Sequence, residues 1–148
     1  MTPEVPSVLS ELAGLLLRNA DPDTPAGERA NALTLCAMIL AVAAEVWDDA
    51  ADILVKENRS FWSLIQTGAR LVADPALAAD LAAFPAFAED DYRLSALGAY
   101  NSRARGLIIR LHAALEDDVR DEADTVYRTI WALLVASTER RKLSMAPV

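Results

Sequence analysis

The residues in this chain able to do chemistry are few and scattered. His112 is the only histidine and Cys36 the only cysteine, while 22 acidic residues outnumber 14 basic ones. Nucleophilic catalysis needs a base beside its nucleophile. Cys36 lies inside the apolar run from Ala30 to Ala44, and no Gly-x-Ser-x-Gly turn is present, so hydrolase parts are missing. A carboxylate-bridged metal pair needs Glu-x-x-His on two helices, whereas His112 is followed rather than preceded by a carboxylate, Glu116. No metal and no cofactor are expected. Asp48, Asp49 and Asp52 beside Trp47 read as a solvated helix flank. The acidic stretch from Glu116 to Asp124 lacks the central glycine and alternating ligands of a calcium loop. The net charge is −8, with basic residues isolated except at Arg140, Arg141 and Lys142, so no stripe neutralises a nucleic acid. The chain reads as non-enzymatic, and nucleic acid is not an expected partner.

The elements that carry these residues read as helices throughout. Of the 148 residues 53% are hydrophobic but only 6% aromatic, so the apolar content is mostly Ala and Leu, both strong helix formers. The expected fold is all-α: one domain, an antiparallel bundle of long helices with a short N-terminal helix and a short corner helix. The N-terminal helix is placed within residues 1–20, capped by Ser7, until Asp21-Pro22-Asp23-Thr24-Pro25 breaks it. A central helix over residues 24–73 follows from Thr24 as cap and Pro25 in the first turn. Its apolar seam runs through Leu35, Ile39, Val42, Val46, Ala50, Ile53, Phe61, Leu64, Gly68 and Leu71, passing over Glu57. A second line through Leu40, Trp47, Leu54, Trp62, Ile65 and Val72 widens that face beyond what one neighbour covers, which leaves room for self-association. Residues 75–89 form the corner, opened by Asp74-Pro75 and closed by Pro85, with Glu89-Asp90-Asp91 as the next acidic cap. The last two helices are placed at 91–117 and 119–145. Leu94, Leu97, Asn101, Ala104, Ile108, Leu111 and Leu115 line the first of them, and Val119, Val126, Ile130, Leu133 and Leu134 the second.

Location is read from what is missing as much as from what is present. Residues Met1 to Ser10 hold Glu4 and two prolines rather than a basic stretch before an apolar one, and a lone cysteine implies no disulfide framework. The longest uncharged run, Ala30 to Ala44, falls short of the roughly 20 residues that span a bilayer. A cytoplasmic protein with no membrane segment is expected. Lysine occurs only at 56 and 142 against twelve arginines, a bias that suits a GC-rich bacterial genome.

One segment has a character of its own: Asn58-Arg59-Ser60-Phe61-Trp62-Ser63-Leu64-Ile65 sets two aromatics after an Asn-Arg pair. It resembles the Asn-Arg-x-Leu-Trp-Thr segment of the FlaF family, small helical regulators of flagellin production in α-proteobacteria. The resemblance spans residues 26–90 and includes the helix from Glu28 through Trp47 and the Asp74-Pro75 corner, with Asp74-Pro75-Ala76-Leu77 standing where that family has Asn-x-Leu-Pro. The stretch from Asn101 to Ile109 is similar to the Asn-rich Leu-Ile stretch of FlgN-type flagellar export chaperones. Both resemblances imply a protein that holds an amphipathic segment of an export substrate such as flagellin. Asn58, Arg59, Phe61, Trp62 and Ile65 are then the candidate partner-binding residues, in a groove between the central helix and the helix from Tyr92. Two alternatives stay open. A regulatory bundle with a small-molecule pocket requires Tyr100, Asn101, His112 and Tyr127 to converge. Arg105, six residues and His112 also resemble the spacing of HEPN-type helical ribonucleases, though Gly106 stands where the motif's adjacent polar residue belongs.

Overall fold

The computed structural model describes residues 5–19, 23–88 and 90–143, and every described element is a helix. The helices are α1 (Val5–Asn19), α2 (Ala26–Gly68), α3 (Pro75–Ala82), α4 (Leu94–Leu115) and α5 (Asp121–Glu139). Ser7 falls inside α1 rather than at its cap, because the helix already begins at Val5. Asp21, Pro22 and Glu89 lie outside the described residues, as do the side chains of Ser7 and Asp48. Among the described residues no helix is long and apolar enough to cross a membrane.

The chain divides into two compact units, Met1–Asp49 with Leu143–Val148, and Ala50–Lys142. In the first, Leu12, Cys36 and Ala43 are buried. The second holds the main core: Phe61, Leu64, Ile65, Leu77, Leu81, Phe84, Ala104, Ile108, Leu111, Leu115, Ala123, Val126 and Ile130 form one buried cluster.

Local chemistry sets the ends of the shorter elements. Asp74 caps α3, its Oδ1 accepting from the Ala76 amide at 2.9 Å, and Pro75 occupies the first turn, where a missing N–H costs nothing. Such a cap contributes about 1 kcal/mol. α4 and α5 start without side-chain caps. Instead Asp91 and Asp118 each accept from the amide of the arginine two residues on, at 3.0 and 3.1 Å, and clamp the same arginine's guanidinium. These two Asp-x-Arg turns, Asp91 to Arg93 and Asp118 to Arg120, carry the chain into α4 and α5.

α4 buries Leu97, Asn101, Ala104, Ile108, Leu111 and Leu115, the three-four spacing of its seam, with Leu94 half-buried. Along α2 the corresponding line within the second unit is Glu57, Phe61, Leu64 and Gly68, all buried, flanked by buried Asn58 and Ile65. Val119 departs from the inward position that periodicity gives it: it is 96% exposed. The chain leaves the helix after Leu115 and re-enters one only at Asp121, so a helical register does not carry across residues 116–120.

Contacts between α2 and α4 climb together in sequence number. Asn101 Nδ2 donates to Asn58 Oδ1 at 2.9 Å, and three turns later a Cβ at Gly68 would lie 2.4 Å from Leu111 Cδ2. Between α2 and α5 the numbers run oppositely: Arg120 Nη2 donates to the Leu71 carbonyl at 2.6 Å, and Ser137 Oγ to Glu57 Oε1, also at 2.6 Å.

Candidate functional site

Among the described residues, the densest polar arrangement centres on Glu57, a carboxylate with no solvent exposure that three helices converge on. Its Oε1 accepts from Ser137 of α5 at 2.6 Å. Its Oε2 accepts from Asn101 Nδ2 and Arg105 Nη2 of α4, both at 3.1 Å, and from Arg141 Nη2, just beyond α5, at 2.7 Å. Arg105 Nε donates to Asn101 Oδ1 at 2.9 Å, its Nη2 also to Ser137 Oγ at 3.0 Å, and its guanidinium lies 5.4 Å from the centre of the Phe61 ring. Asn58 Nδ2 donates to the Leu97 carbonyl at 3.1 Å. Burial pushes the Glu57 carboxyl upward, but the Ser137 hydrogen bond and the Arg141 and Arg105 cations outweigh it, and the net shift is downward. The carboxylate is therefore ionised and fully bonded, as a buried charge must be.

Three of these groups were not evident as a set in the sequence. Glu57 sits on the α2 seam at the step between Ile53 and Phe61, and a charge there signals a buried partner elsewhere. Ser137 carries no signal in a chain rich in surface hydroxyls. Arg141, in the basic run Arg140-Arg141-Lys142, reads as a complement to the negative end of α5, yet it turns onto Glu57.

The segment Asn58 to Ile65 divides between interior and surface. Asn58, Phe61 and Ile65 are fully buried, so their contacts are with the chain's own core and polar network. Arg59 is exposed, and Trp62 is partly buried against the core. An open groove of about 570 Å³ passes beside this segment, between α2 and α5. Arg59, Ser60, Ser63 and Thr67 line one wall, Thr125 and Thr129 the other, and Leu64, Val126 and Leu133 contribute apolar surface. Ser60, Thr67, Thr125 and Thr129 each donate their hydroxyl to the carbonyl four residues earlier. Their remaining lone pairs are acceptors.

Tyr100, Asn101, His112 and Tyr127 do not form one set of contacts. Tyr100 donates to the Pro85 carbonyl at 2.8 Å, and Asn101 belongs to the Glu57 network. The His112 ring stacks on Tyr127 at 4.5 Å and meets the edge of Trp131 at 5.4 Å. Its Nε2 is buried with no hydrogen-bond partner among the described residues. Arg105, the other half of the Arg-His pair, is engaged by Glu57, Asn101 and Ser137. Among the described residues no group of three or more His, Cys, Asp or Glu side chains is placed to hold a metal ion.

A run of exposed apolar side chains lies in the first unit, on the leading half of α2. Leu33, Leu35, Met38, Leu40 and Trp47 are 46–58% exposed. At about 100° per residue, the apolar positions from Met38 through Leu35, Ile39, Ala43 and Cys36 to Leu40 and Leu33 sweep roughly 220° of the helix. A stripe of roughly 100° is what a surface helix needs to pack. Cys36 and Ala43 are buried in the middle of the arc, while both of its flanks are open.

No family model, no curated protein and no solved structure matches this chain.

Proposed function

We propose that this chain is a non-enzymatic binding protein that holds an amphipathic helix of another polypeptide, in the manner of a flagellar export chaperone or flagellin regulator, in a bacterial cytoplasm. The observation that carries the reading is the pair of open apolar flanks on α2, where five large side chains from Leu33 to Trp47 stand about half exposed. Contiguous apolar surface of this kind is uncommon on a protein without a partner, and helix-in-groove docking is the mode that fits side chains repeating along one helix. Leu33, Leu40 and Trp47 recur every seven residues, the spacing that seats one helix on another.

In this reading Arg59 and Trp62 are the members of the Asn58 to Ile65 segment that face a partner, while Asn58, Phe61 and Ile65 support them from within. Ala50–Lys142 serves as the rigid part, a bundle in which α5 runs antiparallel to α2 and α4, and α3 returns the chain so that α2 and α4 run in the same direction.

The test is complex formation between the purified chain and flagellin, followed by size-exclusion chromatography. The wild type is expected to co-elute with flagellin, and Leu40→Lys to elute alone with unchanged far-UV circular dichroism. Absence of any complex with flagellin or another flagellar export substrate would sink the reading, as would equal binding by the variant.

A further inference from the structure

The Glu57 network contains more positive charge than its one carboxylate neutralises, and the surplus reaches solvent. Arg105 and Arg141 donate to the same oxygen, Glu57 Oε2, at 3.1 and 2.7 Å, so the two guanidiniums are neighbours. Like charges at that separation repel, and one carboxylate balances only one of them. Arg105 is 33% exposed and Arg141 26%, while Glu57 is sealed beneath them. The donors not bonded to protein among the described residues are Nη1 of Arg105 and Nε and Nη1 of Arg141. Arg140 stands next in the chain, exposed. Nearby Lys142 is matched by Glu139 at 2.6 Å, and the carbonyl end of α5 offsets about half a charge. The local balance stays positive in a chain whose net charge is −8.

We propose that Arg105 and Arg141, held side by side by Glu57, form a seat for an oxyanion, a phosphate or carboxylate group that bonds their outward-facing N–H donors. Guanidinium forks fixed by other bonds suit such a ligand because little side-chain freedom remains to be lost on binding. Asn101 and Ser137 hold the Arg105 fork, and the Phe61 ring supports its face. The seat is independent of the apolar flanks of α2, so its failure leaves the docking proposal untouched.

The experiment titrates the full-length protein with sodium phosphate and, separately, sodium acetate, against sodium chloride at matched ionic strength, following the Arg Nε resonances by NMR. Saturable shifts of the Arg105 and Arg141 signals with phosphate, acetate or both are expected, and the stronger arm identifies the ligand class. Arg141→Gln leaves a neutral Glu57–Arg105 pair and is expected to weaken binding at least tenfold. Glu57→Gln removes the competing carboxylate and is expected to tighten binding several-fold even as it weakens the fold, a combination that a purely structural network does not give. Shifts no larger than those with chloride would overturn the proposal. So would a Glu57→Gln protein that is folded and binds the anion no better than the wild type. If that variant does not fold, the wild-type titration and Arg141→Gln still decide.

Discussion

Asn58 and Asn101 face each other across α2 and α4, with Asn101 Nδ2 donating to Asn58 Oδ1 at 2.9 Å in the core. From that pair the two helices continue in step: Phe61 and Ala104, Ile65 and Ala104's neighbour in the seam Ile108, then Gly68 and Leu111, occupy equivalent positions three, seven and ten residues on. A buried Asn pair at equivalent positions of two co-directional helices fixes their register, because any slip leaves an amide unpaired in an apolar layer. Within this layer Leu111 fills the space that Gly68 leaves open, its Cδ2 lying 2.4 Å from where a Cβ would stand.

Asn101→Ala tests that register directly. The change takes from buried Asn58 Oδ1 the donor it has from Asn101, removes one of three donors to Glu57 Oε2, and removes the acceptor of Arg105 Nε, whose side chain is one-third exposed. One buried acceptor stranded beside two groups that keep other partners or solvent gives an expected loss of about 1–3 kcal/mol. Urea unfolding followed by circular dichroism measures it, and a loss below about 0.5 kcal/mol would show that the pair does not fix register.

The ionisation of Glu57 gives stability a pH dependence of known sign. Its folded carboxyl titrates below the unfolded value of roughly 4.3, so its stabilisation is fully present above that pH and disappears as pH falls through the folded value. The stability gap between wild type and Glu57→Gln is therefore expected to be constant near neutrality and to shrink on acidification below about pH 4.3. Asp91 and Asp118, held at about 2 by the hydrogen bonds from Arg93 and Arg120, are common to both proteins and cancel in the difference. A gap that widens with acid would contradict the assignment.

Glycines in the helices separate by what lies beside them. A methyl group at Gly68 meets Leu111 at 2.4 Å, and Leu111 is itself fully enclosed, so Gly68→Ala is expected to destabilise by about 1–3 kcal/mol. Gly98 and Gly106 in α4 have open space at that position. There the alanine only restricts the unfolded chain and improves helix propensity, for a gain of about 0.5–1 kcal/mol. Thermal unfolding of the three variants checks both signs at once.

The seam of α4 was legible from residue types alone because leucine and isoleucine repeat at three-four spacing and Asn101 is its one polar member. The α3 corner was legible from Asp74-Pro75. The Glu57 network was not, since it joins residues 57, 101, 105, 137 and 141, and nothing in their local spacing announces that three helices bring them together. Periodicity also gave Val119 an inward position that depends on an unbroken helix, and the Asp118 to Arg120 turn interrupts it. For Phe61 and Ile65 the sequence shows apolar residues on a helix but not which of two apolar lines the core takes. The core takes both there, and leaves Leu40 and Trp47 of the second line exposed in the first unit.

That asymmetry along α2 gives the last prediction. Core leucines cost about 2–5 kcal/mol when truncated, whereas a side chain already half in water loses far less, and a charge placed there keeps its hydration. Leu33→Glu with Leu40→Glu is therefore expected to change folding stability by less than about 1 kcal/mol while raising solubility and abolishing capture of a helical partner. Replacing buried Leu111 or Ile130 by glutamate is expected to prevent folding altogether, because the carboxylate would be buried in a cluster of apolar side chains. Chemical denaturation and light scattering on the two classes of variant distinguish them. If the Leu33/Leu40 pair unfolds the protein as a core variant does, the flanks of α2 belong to the chain's own packing and the open face is not where a partner sits.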